Sequence, residues 1–464
     1  MSDPQRWHNH SPGDLDDALP EITASDAGAS VAAASRAAQS WAKTSLADRA
    51  AALRAGQAAI RASQEDLARL LSRETGKPIV EARGELGAVI AKFDLTIADA
   101  EQLIADRPVA DGPHPALVRH KSRGPAAVIA PFNFPIHLGH GAAAAYLLAG
   151  NPVLYKPSPL AAVTGDAYGK LMSTALPPGV FQIVQGWGET GRALCLHPAV
   201  RSVCFTGSIP VGTALAKELA ADYSKSLALE LGGKCATIVC EDADLKQASS
   251  AAAQAACLTA GQRCNATSLV YVHESRLDDF CEWLESALAS YQPGDPLDEA
   301  TKIGPLISAA AAERYRRLAS LEVGDWLVPA KSPESVNEKR GHWAAPAVIR
   351  CDDFERLAES SLFREESFCP ILTIVPFADD ANAVRMHNTS PFGLTTSIFT
   401  ADRARFDALG ESMNVGNLYW NLPTTFSPST LPFGGLGISG NGKPGARGFI
   451  RYAADEQAVQ WKSS

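Results

Sequence analysis

The sequence predicts an α/β protein built from two doubly wound units, and three observations lead to this prediction. From Ala126 onward, short apolar strands alternate with helical segments at the spacing of βαβ units. The alternation restarts after Gly232 with Cys235–Val239 and continues to about Gly440. A chain of 464 residues is also too long for one core, which indicates two or three domains.

The N-terminal part differs from this pattern. Residues 1–27 contain Pro, Gly and Asp with little periodicity and predict an irregular arm, whereas Ala29 to Asp106 has a helical pattern. The strand–helix pairs of the first unit then follow as 126–130 and 136–149, 153–155 and 160–176, 181–184 and 190–196, and 202–205 and 211–221. Parallel strands with crossover helices on both faces are the usual setting for a dinucleotide.

Two strand-like stretches lie outside any βαβ unit. They are Leu117–Gly124 and Gln457–Lys462. A pair of isolated strands is barely stable in water, and open strand edges recruit partners. These stretches are therefore expected to pair with another domain or subunit.

Composition excludes several classes of protein. The 42 basic and 51 acidic residues give a net charge of −9, which opposes nucleic-acid binding. The Ala-rich run Gly139–Gly150 is too short to span a bilayer, and the N-terminus has no signal-peptide pattern. Nine scattered cysteines without a Cys-x-x-Cys pair argue against a disulfide framework or a metal site and favour a reducing cytoplasm.

Cys264 and Glu230 are the residues that most suggest chemistry. Cys264 ends a Gly-containing turn, and Glu230 precedes a Gly-Gly pair. Cysteine is the strongest nucleophile among side chains near neutral pH, and a carboxylate among apolar neighbours has the raised pKa of a useful base. Taken alone, each also fits a bland interpretation, a buried small hydrophobe and a surface acid at a strand end.

Two runs in the first unit suggest a cofactor site. Phe205–Gly212 follows a strand and opens a helix, whose N-terminus is a phosphate site, although its glycines are spaced G-x-x-x-x-G and a plain tight turn fits as well. Gly150–Ser158 ends a strand with Lys156 at its carboxyl tip, where such sheets bind ligands. Pro157 stops the strand and fixes the direction of the lysine, which on its own would be ordinary solvated surface.

Together these runs resemble the NAD(P)-dependent aldehyde dehydrogenase superfamily from about Ala29 to Gln460. The matching motifs are Glu74–Pro78, Pro131–Pro135, Gly150–Ser158, Phe205–Ser208, Glu230–Gly233, Gly261–Cys264, Glu365–Pro370 and Pro432–Asn441. Within this superfamily the chain is most similar to the succinylglutamate-semialdehyde dehydrogenases. The resemblance implies oxidation of an aldehyde to a carboxylic acid, with a semialdehyde of arginine catabolism as the substrate and NAD or NADP as the cofactor.

The resemblance also implies a domain plan. A Rossmann-like cofactor domain would comprise residues 1–113 and 125–232, and a catalytic domain residues 233–440. A small oligomerisation β-flap would comprise residues 114–124 and 441–464. The implied assembly is a homodimer or a dimer of dimers.

Roles follow by matching positions to the family's motifs. Cys264 would be the nucleophile, Asn133 with the Cys264 backbone N–H would bind the oxyanion, and Glu230 would activate water. Glu366 would hold the nicotinamide ribose, Phe368 would pack beside the ring, and Lys156 would hold the adenosine ribose. The implied cofactor-binding set is Ile129, Pro131, Phe132, Lys156, Ser158, Gly207, Ser208, Gly212, Leu231, Glu366 and Phe368.

The sequence departs from the family pattern in three places. Many relatives have Glu at the position of Pro159, and without a carboxylate there strict NAD specificity is not expected. Cys369 replaces a glycine, so the local backbone is expected to differ. Ala142 and Pro444 occupy the positions of a Lys and a Glu thought to relay the proton of the base, which leaves the proton route open.

Three alternatives compete with a hydrolytic semialdehyde dehydrogenase, and the first is a hydrolytic aldehyde dehydrogenase of broad specificity. A coenzyme-A-acylating relative generally lacks the acid at Glu230, and a non-catalytic relative would have lost Cys264, Asn133 or Glu230; all three are present. The substrate is open as well. An anionic substrate would need cations, and Arg123, Arg263, His137 and His140 fit that role or a scaffold role equally.

Overall fold

The computed structural model describes residues 5–110, 112 and 114–462. Its strands are β1 (Arg6–Trp7), β2 (His10–Ser11), β3 (Asp14–Ala18), β4 (Ile22–Thr23), β5 (Arg107–Val109), β6 (Ala116–Ser122), β7 (Ala126–Ile129), β8 (Val153–Lys156), β9 (Phe181–Ile183), β10 (Ser202–Thr206), β11 (Ser226–Glu230), β12 (Cys235–Val239), β13 (Thr267–His273), β14 (Asp325–Val328), β15 (Ser335–Val336), β16 (Lys339–Arg340), β17 (Ala347–Arg350), β18 (Ile371–Phe377), β19 (Phe392–Gly393), β20 (Thr395–Phe399), β21 (Asn417–Trp420), β22 (Leu436–Gly437), β23 (Gly440–Asn441) and β24 (Ala454–Gln460).

The helices cover the segments that the sequence predicts. They are α1 (Ala27–Lys43), α2 (Leu46–Ala62), α3 (Gln64–Thr75), α4 (Ile79–Leu103), α5 (His137–Leu148), α6 (Ala162–Thr174), α7 (Gly188–Leu196), α8 (Ile209–Leu219), α9 (Leu245–Cys257), α10 (Leu277–Leu288), α11 (Ala309–Ala319), α12 (Phe354–Glu359), α13 (Ser361–Arg364), α14 (Asp380–Asn388) and α15 (Arg403–Glu411). Within the part of the chain that the structure describes, no helix is long and apolar enough to cross a membrane.

The first large sheet has the strand order β23-β11-β10-β7-β8-β9. Its strands run parallel except β23, which is antiparallel to β11. Helix α5 is buried against it from Gly139 to Leu148, because its Ala-rich sequence allows close helix–sheet packing. The pairings Phe205 with Ile129, Ile129 with Lys156, and Thr206 with Glu230 bring the carboxyl ends of four strands to one edge.

The second large sheet has the order β14-β17-β18-β13-β12-β20-β21. Only β14 is antiparallel among these described strands, and the core on this side is the largest apolar cluster. Strand β12 begins five residues after Glu230, and β13 begins three residues after Cys264. The prediction of two α/β units with parallel sheets is thus confirmed.

A third, antiparallel sheet has the order β24-β6-β5. The sheet pairs the mid-chain strand β6 with the C-terminal strand β24. Strand β24 starts three residues earlier than predicted, because its ladder begins at Ala454 opposite Ser122. Strand β5 joins this sheet although it precedes residue 114. The predicted domain boundaries, of which residue 113 lies outside the described residues, stay predictions.

The prediction of an irregular arm is wrong for the described part of residues 1–27. Strand β1 pairs with β4 and β2 with β3, in ladders too short to leave a periodic signal in the sequence. Distant contacts hold these ladders in place. Asn9, for example, donates hydrogen bonds to the Glu74 carboxylate at 2.7 Å and to the Pro159 carbonyl at 2.9 Å.

Asn151 connects the third sheet to the cofactor unit. Its side chain is fully buried, and its Oδ1 accepts hydrogen bonds from the Ser122 hydroxyl and the Arg123 and Gly124 backbone N–H groups at 2.8–3.1 Å. Its Nδ2 donates to the carbonyls of Tyr146 and Ala453 at 3.1 and 2.7 Å. A single amide therefore satisfies backbone groups from three separate segments.

Replacing Asn151 with Ala should lower the free energy of unfolding by about 3–5 kcal/mol, because several buried polar groups lose their partners. Urea denaturation checks this. Ser122→Ala, which removes one of the partners, should cost markedly less. Equal losses for the two variants would contradict the central role of the amide.

Candidate active site

Glu230 ends strand β11 at the edge where the parallel strands terminate. Its side chain is buried, and neither carboxylate oxygen has a hydrogen-bond partner among the described residues. Burial raises its pKa to about 8, and the charge of Lys443 opposes part of that rise. The result is a carboxyl group that can exchange a proton near neutral pH.

Cys264 is brought close to Glu230 by the glycine pair that follows the acid. A Cβ atom on Gly233 would lie 2.1 Å from the Cys264 carbonyl oxygen, so only glycine permits this approach. The thiol is partly buried, and burial raises its pKa, as do the nearby carboxylates of Glu230 and Glu366. The thiol therefore needs a proton acceptor before it can react as a thiolate.

Asn133 lies on the turn before α5, on the same side as the thiol. Its side chain is buried, its Nδ2 donates to the Gln262 carbonyl at 2.8 Å, and its Oδ1 accepts the Phe134 N–H at 3.1 Å. An amide nitrogen carries two hydrogens, so one donor remains for another acceptor.

A cavity of about 340 Å³ extends from these three side chains along the carboxyl edge of the first sheet. Every sequence-predicted cofactor residue except Gly212 lines it: Ile129, Pro131, Phe132, Lys156, Ser158, Gly207, Ser208, Leu231, Glu366 and Phe368. Gly212 lies behind the wall, where a Cβ would meet the Leu231 side chain at 2.5 Å. A glycine at this position lets helix α8 pack closely against Leu231, and its predicted role in cofactor binding stays a prediction.

The groups at the far end of this cavity suit a nucleotide. Burial lowers the pKa of Lys156 to about 8, and its Nζ donates to the Pro157 carbonyl at 3.2 Å. Ser208 stands at the N-terminus of the eleven-residue helix α8, and its hydroxyl forms no capping hydrogen bond. A helix N-terminus with a free hydroxyl beside it is well suited to phosphate.

Glu366 and Phe368 form the near end. Glu366 accepts the Gly233 N–H at 3.0 Å, and burial raises its pKa to about 7. Phe368 adopts a left-handed φ of 50° and its ring meets Phe132 edge-on at 5.8 Å. Cys369 does not have a positive φ, so the backbone there does not need the glycine of relatives.

A second cavity, of about 290 Å³, opens on the other side of Cys264. Cys264 and Leu138 line both cavities, so the thiol lies where they meet. The remaining lining residues are Glu81, Gly84, Glu85, Ala88, Phe134, His137, Arg263, Asn265, Thr425, Ser427, Pro428, Ser429, Phe433, Gly445 and Ala446. This cavity is placed to hold the substrate.

The four side chains that could bind an anionic substrate are either paired with an acid or uncharged in the described structure. Arg263 pairs with Glu81 at 2.6 Å, and Arg123 pairs with Asp455 at 2.6 Å next to the third sheet. Burial lowers the pKa values of His137 and His140 to about 3, so both rings are neutral. The structure therefore favours the scaffold role that the sequence left open for these side chains.

Several residues that line the two cavities were not indicated by the sequence. Glu81 and Glu85 lie on α4, about 180 residues before the thiol, and the hydroxyl-rich stretch Thr425–Ser429 belongs to a loop without a pattern. Arg314 lines the cofactor cavity from a catalytic-unit helix. The cluster of hydroxyl groups in this stretch was the sequence signal that could have pointed to these cavity residues.

Ala142 occupies the position of a lysine in many relatives. It is fully buried, and its methyl group cannot relay a proton as that lysine could.

The fold and the two cavities that meet at a cysteine are those of a dinucleotide-dependent oxidoreductase. The comparisons identify the family: the aldehyde dehydrogenase family model matches residues 5–459, and the chain belongs to this family. It is accordingly an oxidoreductase that acts on the aldehyde group with NAD or NADP.

Individual relatives agree with this assignment. The chain is 38% identical to N-succinylglutamate 5-semialdehyde dehydrogenase 1 of Caulobacter vibrioides, covering 90% of this chain and 87% of the relative. It is 34% identical to the N-succinylglutamate 5-semialdehyde dehydrogenase of Chromobacterium violaceum, covering 93% and 87%. Among solved structures, NAD-bound 1-pyrroline-5-carboxylate dehydrogenase from Thermus superposes with a TM-score of 0.92 at 27% identity, covering 98% and 90%.

Glu230 should remain largely protonated at pH 7 and ionise near pH 8, because burial disfavours its charged form. Infrared difference spectra recorded across pH should show one carboxyl signal with this midpoint, and Glu230→Gln should remove it. A Glu230 signal that titrates in the ordinary range, about 4.3, would contradict the burial argument.

Proposed function

We propose that this enzyme oxidises a semialdehyde, succinylglutamate semialdehyde in the first instance, to the carboxylic acid. The observation that carries the reaction is the position of Cys264 where two cavities meet, beside a buried carboxylate without partners. The semialdehyde itself is supported by the 34–38% identity to enzymes named for it. A panel of aldehydes, including ω-carboxylated semialdehydes, tests this choice.

In the proposed first step, the Cys264 thiol releases its proton to solvent, and the resulting thiolate adds to the aldehyde carbon to give the oxyanion of a thiohemiacetal. The free Nδ2 hydrogen of Asn133 and the Cys264 backbone N–H donate to the oxygen as it gains negative charge. Donors of this kind each stabilise the transition state by about 3 kcal/mol. The bond from Asn133 to the Gln262 carbonyl fixes the amide beforehand, so this stabilisation requires little rearrangement.

The cofactor cavity serves the oxidation. When bound, NAD or NADP accepts a hydride from the substrate carbon. Glu366 would hold the nicotinamide ribose, Phe368 would pack at the ring, and Lys156 and Ser208 would hold the adenosine ribose and phosphate. Loss of the hydride leaves a thioester on Cys264, and the ionised form of Glu230, which is a minor fraction at pH 7 and grows toward pH 8, then takes a proton from the water that hydrolyses it.

Glu230 also distinguishes hydrolysis of the thioester from its transfer to coenzyme A, which is the main alternative. An acylating enzyme transfers the thioester to coenzyme A and has no need of a base for water. A buried carboxylate with a pKa of about 8 suits the activation of water near neutral pH. A non-catalytic role is disfavoured because the thiol, the amide and the carboxyl group all line one cavity.

Cys264→Ala should abolish cofactor reduction while leaving cofactor binding intact. Glu230→Gln should instead form the thioester and hydrolyse it slowly, so a burst of about one reduced cofactor per site should precede a slow phase. Stopped-flow absorbance measures both. Near wild-type turnover in Cys264→Ala rejects the nucleophile, and unchanged steady-state turnover in Glu230→Gln rejects the base.

Cofactor preference depends on Pro159, which lines the cavity beside Lys156. Because no carboxylate repels a 2′-phosphate there, NADP should be used at a measurable fraction of the NAD rate. Pro159→Glu should shift the ratio of kcat/KM values toward NAD by about tenfold, while the neutral Pro159→Gln should not. A wild-type enzyme inactive with NADP would show that another feature sets the preference.

We also propose that the enzyme is at least a homodimer, with a dimer of dimers as the larger alternative, and that it acts in the cytoplasm. Strand β24 lies at the edge of its sheet, and in the described chain its outer side pairs with no other strand. Such an edge can extend the sheet of a second copy. A reducing compartment would keep Cys264 as a thiol.

Deleting residues 457–464 removes four of the seven residues of β24 and should give a monomer or insoluble protein. Truncation after Gln460 is the matched control and should leave the assembly unchanged. Light scattering after size-exclusion chromatography measures both. A wild-type mass equal to one 49.0 kDa chain at micromolar concentration would overturn the proposal.

A further inference from the structure

Helix α4 carries two acids one turn apart, Glu81 and Glu85, that line the substrate-side cavity. Neither of them has a role in the chemistry proposed above. Each is paired with a cation from another segment, Glu81 with Arg263 at 2.6 Å and Glu85 with Lys77 at 2.5 Å. Because both charges are already paired, these acids are poorly suited to bind substrate, and their other contacts define what they do.

The other contacts of Glu81 are all with the turn that precedes the nucleophile. Its Oε1 accepts the Thr259 backbone N–H at 3.0 Å, and its Oε2 accepts the Thr259 hydroxyl at 2.8 Å. Arg263 closes the network, since its Nε donates to the Thr259 hydroxyl at 3.0 Å while its Nη2 binds Glu81. Four hydrogen bonds thus link Glu81, Arg263 and Thr259, one of them to the Thr259 backbone N–H.

This turn has an unfavourable backbone conformation. Thr259 and Ala260 both lie in the left-handed region, with φ values of 53° and 54°, and Gly261 follows with 71°. A β-branched residue rarely adopts this conformation, and it persists only where the surroundings impose it. Cys264 is three residues beyond Gly261, so relaxation of the turn would move the thiol.

Glu85 makes the equivalent contacts on the other side of the site. Its Oε1 accepts the backbone N–H groups of Ile136 and His137 at 3.2 and 3.1 Å, where α5 begins after the Asn133 turn. The Phe134 ring lies between the two ion pairs, 3.8 Å from the Lys77 Nζ and 4.9 Å from the Arg263 guanidinium carbon. Helix α4 therefore stabilises both the turn that precedes Cys264 and the segment that follows Asn133.

We propose that Glu81 is a positioning residue for Cys264 that acts through Thr259 and Arg263, and that Glu85 positions the Asn133 turn in the same way. The inference rests on the proposed role of Cys264 as nucleophile. It implies that loss of Glu81 lowers kcat and the reactivity of the thiol, while cofactor affinity, set at the opposite cavity, stays as it is.

The test compares Glu81→Ala and Glu81→Gln with Asp94→Ala. Asp94 is the matched control because it lies on the same helix and also holds an arginine and a second polar side chain, Arg54 and Gln57, but on the exposed face. Glu81→Ala should lower kcat by about a hundredfold, the usual penalty for a displacement near 1 Å. Glu81→Gln, which keeps one acceptor oxygen for Thr259, should lose less.

The second readout is alkylation of Cys264 by iodoacetamide, followed by mass spectrometry of its peptide. In Glu81→Ala the rate should fall by about tenfold, with the Kd for NAD unchanged within about twofold. A role confined to stability would lower Tm yet leave the alkylation rate of the folded enzyme as in wild type. Asp94→Ala should match wild type in both measurements.

The outcomes are separable. If Cys264→Ala is inactive but Glu81→Ala keeps wild-type kcat and alkylation rate, the positioning role is wrong and the proposed function stands. If Cys264→Ala remains active, the proposed function itself fails. Should Glu81→Ala prove insoluble, Glu81→Gln decides: a kcat and alkylation rate within about twofold of wild type would overturn the inference.

Discussion

The close approach of the Gly232–Gly233 pair to the thiol turn is the constraint on which the site depends. The Gly233 position lies against the Cys264 carbonyl, and the Gly232 position lies against the Glu366 carboxylate, where a Cβ would be 2.5 Å away. A side chain at position 233 would clash with the backbone of Cys264, and one at position 232 would have to displace the Glu366 carboxylate. Because these glycines connect β11 to β12, the same contact that joins the two sheets also brings together the carboxyl group of Glu230, the thiol of Cys264 and the carboxylate of Glu366.

Burial then gives these groups their chemistry. Glu230 and Glu366 are both shielded from water, and burial raises their pKa values to about 8 and about 7. Paired carboxylates elsewhere in the site, such as Glu81 and Glu85, have cations within hydrogen-bond distance. The site thus contains two kinds of acid: Glu81 and Glu85 are held in ion pairs, whereas Glu230 and Glu366 have no paired cation among the described residues.

The substrate-side cavity has a related property. Arg263, the arginine that lines it, is paired with Glu81, so its remaining polar surface comes largely from hydroxyl and amide groups such as Ser427, Ser429 and Asn265. Recognition of a semialdehyde in this cavity would then depend on shape and on neutral donors. In such a site the ionised side chains, Glu81 and Glu85 among them, stabilise the segments next to Cys264 and Asn133 and do not bind the substrate.

The sequence by itself determined the fold class and the succession of strands and helices in the first unit, because local periodicity reports what neighbouring residues do. Its short motifs carried the family resemblance that implied most of the cofactor residues, whereas the strand order of both sheets came from the tertiary structure. The sequence placed β7, β8 and β12 almost to the residue. Only the tertiary structure showed the short ladders of β1–β4, the position of Gly212 behind the cavity wall and the pairing of Arg263 with Glu81. Each of these depends on partners far away along the chain, which no local pattern reports.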